Sequence, residues 1–264
     1  MGHSLSHIDA IDLRVAVRNI VRRKHWRRWL LSVVGIVLVT VRVATWPVET
    51  QQGVNFVVST YTMPLYLKAF EFIDRSAHYQ RLANTLTEGI RSDRAKVEKL
   101  FQWTVQNIQA TPDGWPVVDD HILNIIIRGH GVADQRADVF TTLATYAGMP
   151  AFWVSLPKHS EPKLLLSFVF VDGRWVVADV AGAMQFRNSD GELTTLQELL
   201  AQPAQLRIYA DRQTTEGVSY TKVLSEIRMP TPPSPLRAEL QMPLKRLIYE
   251  VRTALSLGTN DEFD

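Results

Sequence analysis

The sequence predicts an α+β fold in which helices pack on a small antiparallel sheet, with a transmembrane helix at the N-terminus. Three patterns predict it: the apolar residues 29–48, an amphipathic stripe that follows Ser92, and two apolar runs on either side of Asp172-Gly173. Of the 264 residues, 46% are hydrophobic and 21% are charged, which is enough for one domain-sized core with appendages. The chain contains no cysteine, which excludes disulfides, thiolate metal ligands and thiol catalysis.

The N-terminal segment carries a membrane signal. Residues 29–48 are apolar with one charge, Arg42, and a helix of this length can cross a bilayer core of about 30 Å. A basic cluster precedes them: Arg14, Arg18, Arg22, Arg23, Lys24, Arg27 and Arg28. Because positive charge favours the cytoplasmic side, we expect residues 1–28 in the cytoplasm, a single-pass anchor at 29–48 and the main domain outside. An uncleaved anchor is favoured over a cleaved signal peptide, since no A-x-A site follows, and over a buried soluble helix.

Three helices are expected next in the chain. Pro64 to about Leu86 is predicted to be helical, with a break near Ser76. The second helix has Ser92 as its N-cap and an apolar stripe of Val97, Leu100, Phe101, Val105 and Ile108. The third starts near Ala133 and ends on Gly148.

The strands and the second capped turn come after these helices. "AFWVS" and "KLLLSFVFV" are apolar runs, and Asp172-Gly173 joins the second run to "RWVVADV", which predicts a β-hairpin. Thr195 and Glu198 then have the spacing of a capping box.

The C-terminal part is predicted to lie outside the domain of residues 49–228. Residues 229–235, "MPTPPSP", form a Pro-rich linker that begins the segment 229–264. A helix starting at Pro243 follows, with an apolar stripe that we expect to pack on the domain or on a partner: Leu244, Leu247, Ile248, Val251 and Leu255.

Three motifs, in this order, resemble the core of the transglutaminase-like superfamily, which includes papain-like cysteine proteases, amidases and acyl transferases. "KVEKLFQWTVQNI" is similar to the helix that precedes the family's active site. "GHGVADQRADVFTTLATYAGMPAFWV" is similar to the nucleophile helix with its following glycine and strand, and "FVFVDGRWVVADV" to the strand, D-G turn, tryptophan and terminal aspartate. The resemblance covers about residues 92–179 and implies a papain-like core.

The family's chemistry requires a cysteine, a histidine and an aspartate. The resemblance implies that Ala133 occupies the nucleophile position, Leu164 (within a residue or so) the histidine position and Asp179 the aspartate position. An alanine methyl cannot attack a carbonyl, and leucine cannot carry a proton. Two losses in a chain without cysteine indicate a degenerate site rather than one engineered substitution.

Two residues beside this site are alternative candidates for chemistry. His130 lies in the turn before the helix and is either a reactive group or an exposed loop histidine. Asp134 lies at the helix start, where the dipole stabilises its charge, so a capping role is favoured over acid catalysis.

The remaining histidines and charged residues near these motifs are expected to have structural roles. Asp119, Asp120 and His121 could hold a divalent metal, but no distant ligand is identifiable, and loop or capping use is favoured. His159 is an unfavoured substitute for the missing histidine. Arg136 and Asp138 are expected to be ion-paired or surface residues.

The favoured function is a membrane-anchored, catalytically inactive scaffold that binds a protein, peptide or glycan in the degenerate cleft and serves in envelope or extracellular-polymer assembly. The alternative is an active hydrolase or acyl transferase that uses His130, Asp134 and Asp179. A third interpretation is a generic α+β receptor domain. No cofactor, metal ion or nucleic-acid partner is expected.

Overall fold

The structure is a computed structural model that describes residues 25–26, 28–52, 59–118, 121–156, 164–201 and 206–254. The described residues fall into two compact units, one drawn from residues 1–50 and 61–69, the other from residues 51–60 and 70–264. The predicted cytoplasmic segment lies almost entirely outside the described residues.

The first unit contains an apolar helix, α1 (residues 28–44), whose large apolar side chains are exposed. The helix ends short of the predicted boundary at 48, because Pro47 begins strand β1 and disfavours a helical conformation at Trp46. Strand β1 (Pro47–Gln52) pairs with β2 (Ser59–Pro64). Within the described part of the chain, no helix combines the length and the apolarity that crossing a membrane requires.

The remaining helices and strands alternate along the chain. Their bounds are α2 Leu65–Thr87, α3 Asp93–Asn107, β3 Gln109–Ala110, α4 Ile122–Arg128, β4 His130–Gly131, α5 Ala133–Tyr146, β5 Ala151–Leu156, β6 Leu164–Val171, β7 Arg174–Asp179, β8 Met184–Gln185, α6 Leu196–Ala201, α7 Tyr220–Glu226 and α8 Pro243–Ala254. A short 3₁₀ helix, Glu239–Gln241, precedes α8. The mixture of helices and sheet agrees with the predicted α+β class.

The central sheet has four antiparallel strands in the order β5-β6-β7-β8 among the described residues. The predicted hairpin is confirmed, because β6 and β7 pair on either side of Asp172-Gly173. Both turn residues have positive φ, 50° and 81°, as a type I′ turn requires.

Helix α5 is the centre of the second unit, and every residue from Gln135 to Tyr146 is buried. It packs with α3 and α4 against one face of the sheet, which presents Val169, Val171, Val176 and Ala178. The alternate residues of the same strands point to the other face, where they meet α6 and α7: Leu164, Leu166, Phe168 and Val177. The sheet therefore separates two apolar clusters.

Candidate functional site

The turn that starts α5 is held by one buried glutamine. Gln135 Oε1 accepts the Val132 N–H (3.2 Å) and an Arg128 guanidinium N–H (2.8 Å), and its amide donates to the Val118 carbonyl (2.8 Å). Gly131 lies so close that a Cβ atom there would stand 3.0 Å from Gln135 Oε1. Ala133 is the first helical residue after this turn. The residue that the resemblance aligns with the nucleophile thus follows a turn with three polar contacts of Gln135 and close packing, and its own side chain is a methyl group.

The first turn of α5 is tied to the turn that follows β7. The buried Arg136 guanidinium donates to the Ala181 carbonyl at 3.0 Å. Burial lowers the pKa of the Arg136 side chain, and the neighbouring Asp179 opposes this shift. Asp134 lies in the first turn of α5 and accepts the N–H of Gln135 at 2.8 Å, whereas the N-cap residue of the helix is Val132.

Asp179, at the end of β7, is 1% exposed and fully engaged in structural hydrogen bonds. Its Oδ2 accepts the Tyr220 hydroxyl at 2.7 Å, and its Oδ1 accepts the Gly182 N–H at 2.8 Å. Burial raises the pKa of the Asp179 carboxyl, whereas these bonds, the Ala181 N–H and the Arg136 charge lower it. In a catalytic triad the aspartate accepts an imidazole N–H. The donors to Asp179 are instead a tyrosine hydroxyl and backbone N–H groups.

Leu164, at the start of β6, is 3% exposed and pairs with Leu156 of β5. The register places Ser167 opposite Ala178, and its continuation places Leu166 opposite Asp179. Leu164 lies two residues before Leu166 in β6, so it is on the same face of the sheet. This face holds the apolar cluster that includes Tyr220, and α5 packs on the other face. Leu164 therefore belongs to a closed core, and neither it nor Asp179 offers surface to a ligand.

The other sequence candidates are distributed around this core. The ring of His130 packs edge-on against Trp115 with centroids 5.4 Å apart, and its buried Nδ1 atom has no hydrogen-bond partner in the described part of the chain. His121 precedes α4 without a capping bond from its side chain. Asp119, Asp120 and His159 lie outside the described residues. No group of three potential metal ligands exists among the residues that are described.

Sequence reasoning missed Tyr220 and a second buried polar cluster around Asp138. The Trp153 indole N–H donates to Asp138 Oδ1 at 2.7 Å, and Arg237 lies 3.3 Å from Asp138 Oδ2. The Arg237 guanidinium also stacks over the Trp153 ring at 5.6 Å. Asp138, at 5% exposure, is thus the structural ion-pair residue that was expected, but its partners are distant in sequence.

A pocket of about 520 Å³ lies beside β5 rather than at the predicted triad. Its wall is mainly apolar and includes two charged side chains: Phe152, Trp153, Val154, Leu156, Glu226, Arg228, Met229, Pro230, Thr231 and Pro233. Its volume falls in the range of small-molecule and side-chain pockets.

Comparisons with known proteins agree with the class that these elements define, an α+β domain with a buried central helix. Residues 80–180 match the model of the transglutaminase-like superfamily. No curated protein matches the chain.

Three solved structures are similar to parts of the chain. A "putative cysteine protease" from Cytophaga hutchinsonii has 18% identity and a TM-score of 0.36 over 45% of this chain and 40% of its own. A "putative protease" from Parabacteroides distasonis has 13% identity and a TM-score of 0.33 over 50% and 35%, respectively. A protein described as a TGase has 15% identity and a TM-score of 0.32 over 53% and 45%. The similarity thus spans less than half the length of each of these structures.

Residues 80–180 are thus similar to the transglutaminase-like superfamily, and this range contains the three motifs on which the predicted resemblance rests. The chain contains no cysteine, the residue that supplies the nucleophile in the family's chemistry.

Proposed function

We propose that this protein is a non-catalytic member of its superfamily, a binding or scaffold module held at a membrane by its N-terminal helix. The observation that carries the proposal is the state of Asp179. This carboxylate is buried and bound to Tyr220 and to backbone N–H groups. By the resemblance, alanine (Ala133) and leucine (Leu164) stand at the positions of the family's reacting groups. A carboxylate held in this way stabilises a turn and has no imidazole to orient.

Two features support membrane attachment. Large apolar side chains of α1 remain exposed, Leu31 by 70% and Ile36 by 66% for example. Exposed apolar surface of this extent is typical of an interaction site, and the basic residues that precede it favour anchoring with the main domain outside the cytoplasm. Because this topology places the main domain outside the cytoplasm, we propose that the protein acts in envelope or extracellular-polymer assembly.

The pocket beside β5 supports a binding role. It combines apolar walls with the exposed charged residues Glu226 and Arg228, and the indole of Trp153 is suited to stacking on a sugar or a peptide side chain. We therefore place the protein, peptide or glycan ligand here rather than over Leu164 and Asp179.

The competing enzyme hypothesis rests on His130, whose buried Nδ1 lacks a partner in the described residues. Purified protein is assayed for hydrolysis and transamidation of glutaminyl peptides, beside His130→Ala and Asp179→Asn. We expect all three proteins to match the buffer blank. Turnover by the unaltered protein that disappears in His130→Ala, with the fold intact by circular dichroism, contradicts the proposal and establishes the enzyme.

The binding role is tested by photocrosslinking, since a chain without cysteine accepts one labelled cysteine without background. Met229→Cys, at the pocket, carries a benzophenone, and Glu88→Cys, exposed at the end of α2, is the matched control. In native membranes we expect an adduct specific to the Met229 label. Digestion with a protease or with a muramidase then distinguishes a polypeptide from a glycan. Equal labelling from the two positions argues against a ligand in this pocket.

A further inference from the structure

The C-terminal helix α8 (Pro243–Ala254) exposes an apolar stripe that the domain leaves uncovered. Leu244, Leu247, Ile248 and Val251 recur at helical spacing and are 68%, 60%, 44% and 48% exposed. Packing on the domain, one of the two expectations from the sequence, is therefore wrong for these four residues. The stripe must meet another surface or remain in water.

The start of α8 is nevertheless fixed to the domain. The Tyr146 hydroxyl, at the end of α5, donates to the Gln241 carbonyl at 2.7 Å, just before the helix. Met242 packs against the apolar cluster on the α5 side of the sheet, and Lys245 is ion-paired with Glu239. A helix held at its first turn presents its stripe in a constant direction.

The polar residues of α8 determine which surface suits the stripe. By the 3.6-residue period, Lys245 and Arg252 border it on one side, and the Arg246–Glu250 ion pair lies toward the other. The helix thus carries three basic residues and one acidic residue. Two copies meeting stripe to stripe in antiparallel orientation would bring Lys245 and Arg252 of one copy against those of the other, which disfavours that homodimer. Anionic lipid headgroups instead complement Lys245 and Arg252 and the net positive charge of the helix.

We propose that α8 is an interfacial helix that lies in the headgroup region of an anionic lipid bilayer. Its apolar stripe enters the acyl boundary, and its basic residues contact the lipid phosphates. This lipid contact is separate from the N-terminal anchor, and it limits the orientations that the domain can adopt at a membrane.

The test uses the full chain in vesicles, with single cysteines in the cysteine-free background. Val251→Cys, on the stripe, and Thr253→Cys, on the polar face, each carry a nitroxide, and both positions are exposed. The vesicles contain either phosphatidylcholine alone or a mixture with phosphatidylglycerol. In the anionic vesicles we expect the Val251 label to collide more often with oxygen than with a water-soluble nickel complex, and the Thr253 label to show the reverse. Arg252→Glu should bring the Val251 label back toward water.

Each outcome decides the proposal. A Val251 label that is as accessible to nickel in anionic vesicles as in detergent overturns it. So does a short distance between the labels of two copies, because a second copy then covers the stripe. Flotation of the unlabelled chain with phosphatidylcholine vesicles, which lack the anionic headgroups that α8 needs, reports the N-terminal anchor separately, so a failure of α8 binding is distinguishable from a failure of anchoring.

Discussion

The Asp179–Tyr220 pair makes a quantitative prediction for Tyr220→Phe, which removes one hydroxyl and keeps the ring. Asp179 accepts three donors, the Tyr220 hydroxyl and the N–H groups of Ala181 and Gly182, so the variant leaves it with two. A hydrogen bond to a buried charged group contributes about 1.5–3 kcal/mol. Because Tyr220 is 0% exposed, water cannot replace the lost donor. We expect a loss of about 2 kcal/mol in the free energy of unfolding, or about 4–8 °C in Tm.

The loss of unfolding free energy in Tyr220→Phe should depend on pH, whereas a loss caused only by altered packing would not. Burial raises the pKa of Asp179 above its ordinary value of 3.8, so the folded state holds this proton more tightly than the unfolded state. The stability contribution of Asp179 is therefore fully present below about pH 4 and falls as pH rises through the raised pKa. The Tyr220 hydroxyl bonds more strongly to the ionised carboxylate, so the cost of Tyr220→Phe should grow over the same interval.

Tyr209→Phe provides a matched control. Tyr209 and Tyr220 both pack edge-on against Phe186, with centroids 5.2 and 5.6 Å away, but among the described residues the Tyr209 hydroxyl bonds to the backbone N–H and carbonyl of Arg187 and to no charged group. Chemical unfolding of the three proteins across pH should show a pH-dependent loss for Tyr220→Phe and a constant one for Tyr209→Phe. A loss below about 0.5 kcal/mol for Tyr220→Phe, or one that is independent of pH, refutes the assigned role of the pair.

Three further substitutions test neighbouring features by thermal unfolding. Gly182→Ala places a Cβ 2.2 Å from the Tyr220 hydroxyl oxygen, so we expect a loss of about 1–3 kcal/mol that the additional change Tyr220→Phe partly restores. Gly173→Ala should cost about 1 kcal/mol from backbone strain alone, since φ is 81° and no atom lies within 4 Å of the added Cβ. Trp153→Phe removes the 2.7 Å bond to the buried carboxylate of Asp138 and should cost about 1.5–3 kcal/mol.

Specific outcomes contradict each of these predictions. Strict additivity of Gly182→Ala and Tyr220→Phe would show that the added methyl does not meet the hydroxyl. A neutral Gly173→Ala would show that the hairpin turn is not type I′. For Trp153→Phe the control is Trp175→Phe, whose indole makes no hydrogen bond within the described part of the chain, and equal losses would exclude a role for the indole donor.

The locally encoded features were predictable from the sequence. The Ser92 hydroxyl accepts the Ala95 N–H at the start of α3, as its N-cap position predicts. Thr195 and Glu198 form the predicted reciprocal capping box, with bonds of 2.9 and 3.1 Å. In each case the interacting groups lie within a few residues, so spacing alone determines the geometry.

Features that depend on distant partners were not predictable. The break expected in α2 near Ser76 is wrong, because α2 is continuous and the Ser76 hydroxyl is hydrogen-bonded to the Tyr146 hydroxyl, 70 residues away. Tyr220 is 41 residues from Asp179, and only the folded sheet and α7 bring the two together. The same holds for Arg237 and Asp138. A serine within a helical pattern predicts a break, because its hydroxyl competes for backbone hydrogen bonds. A hydrogen bond between that hydroxyl and a distant residue removes the competition.

The terminal aspartate of the motif shows how one residue can keep a family's pattern while its physical role changes. In the active family the carboxylate orients an imidazole, which requires a histidine on the adjacent strand with access to the site. Here Leu164 lies two residues beyond the position opposite Asp179, within an apolar cluster, and the Asp179 carboxylate accepts the Tyr220 hydroxyl. The close approach of Gly182 lets this bond form, since any larger residue would collide with both partners. Asp179 is thus required by the turn after β7 and by α7, so its presence in the motif is explained without catalysis.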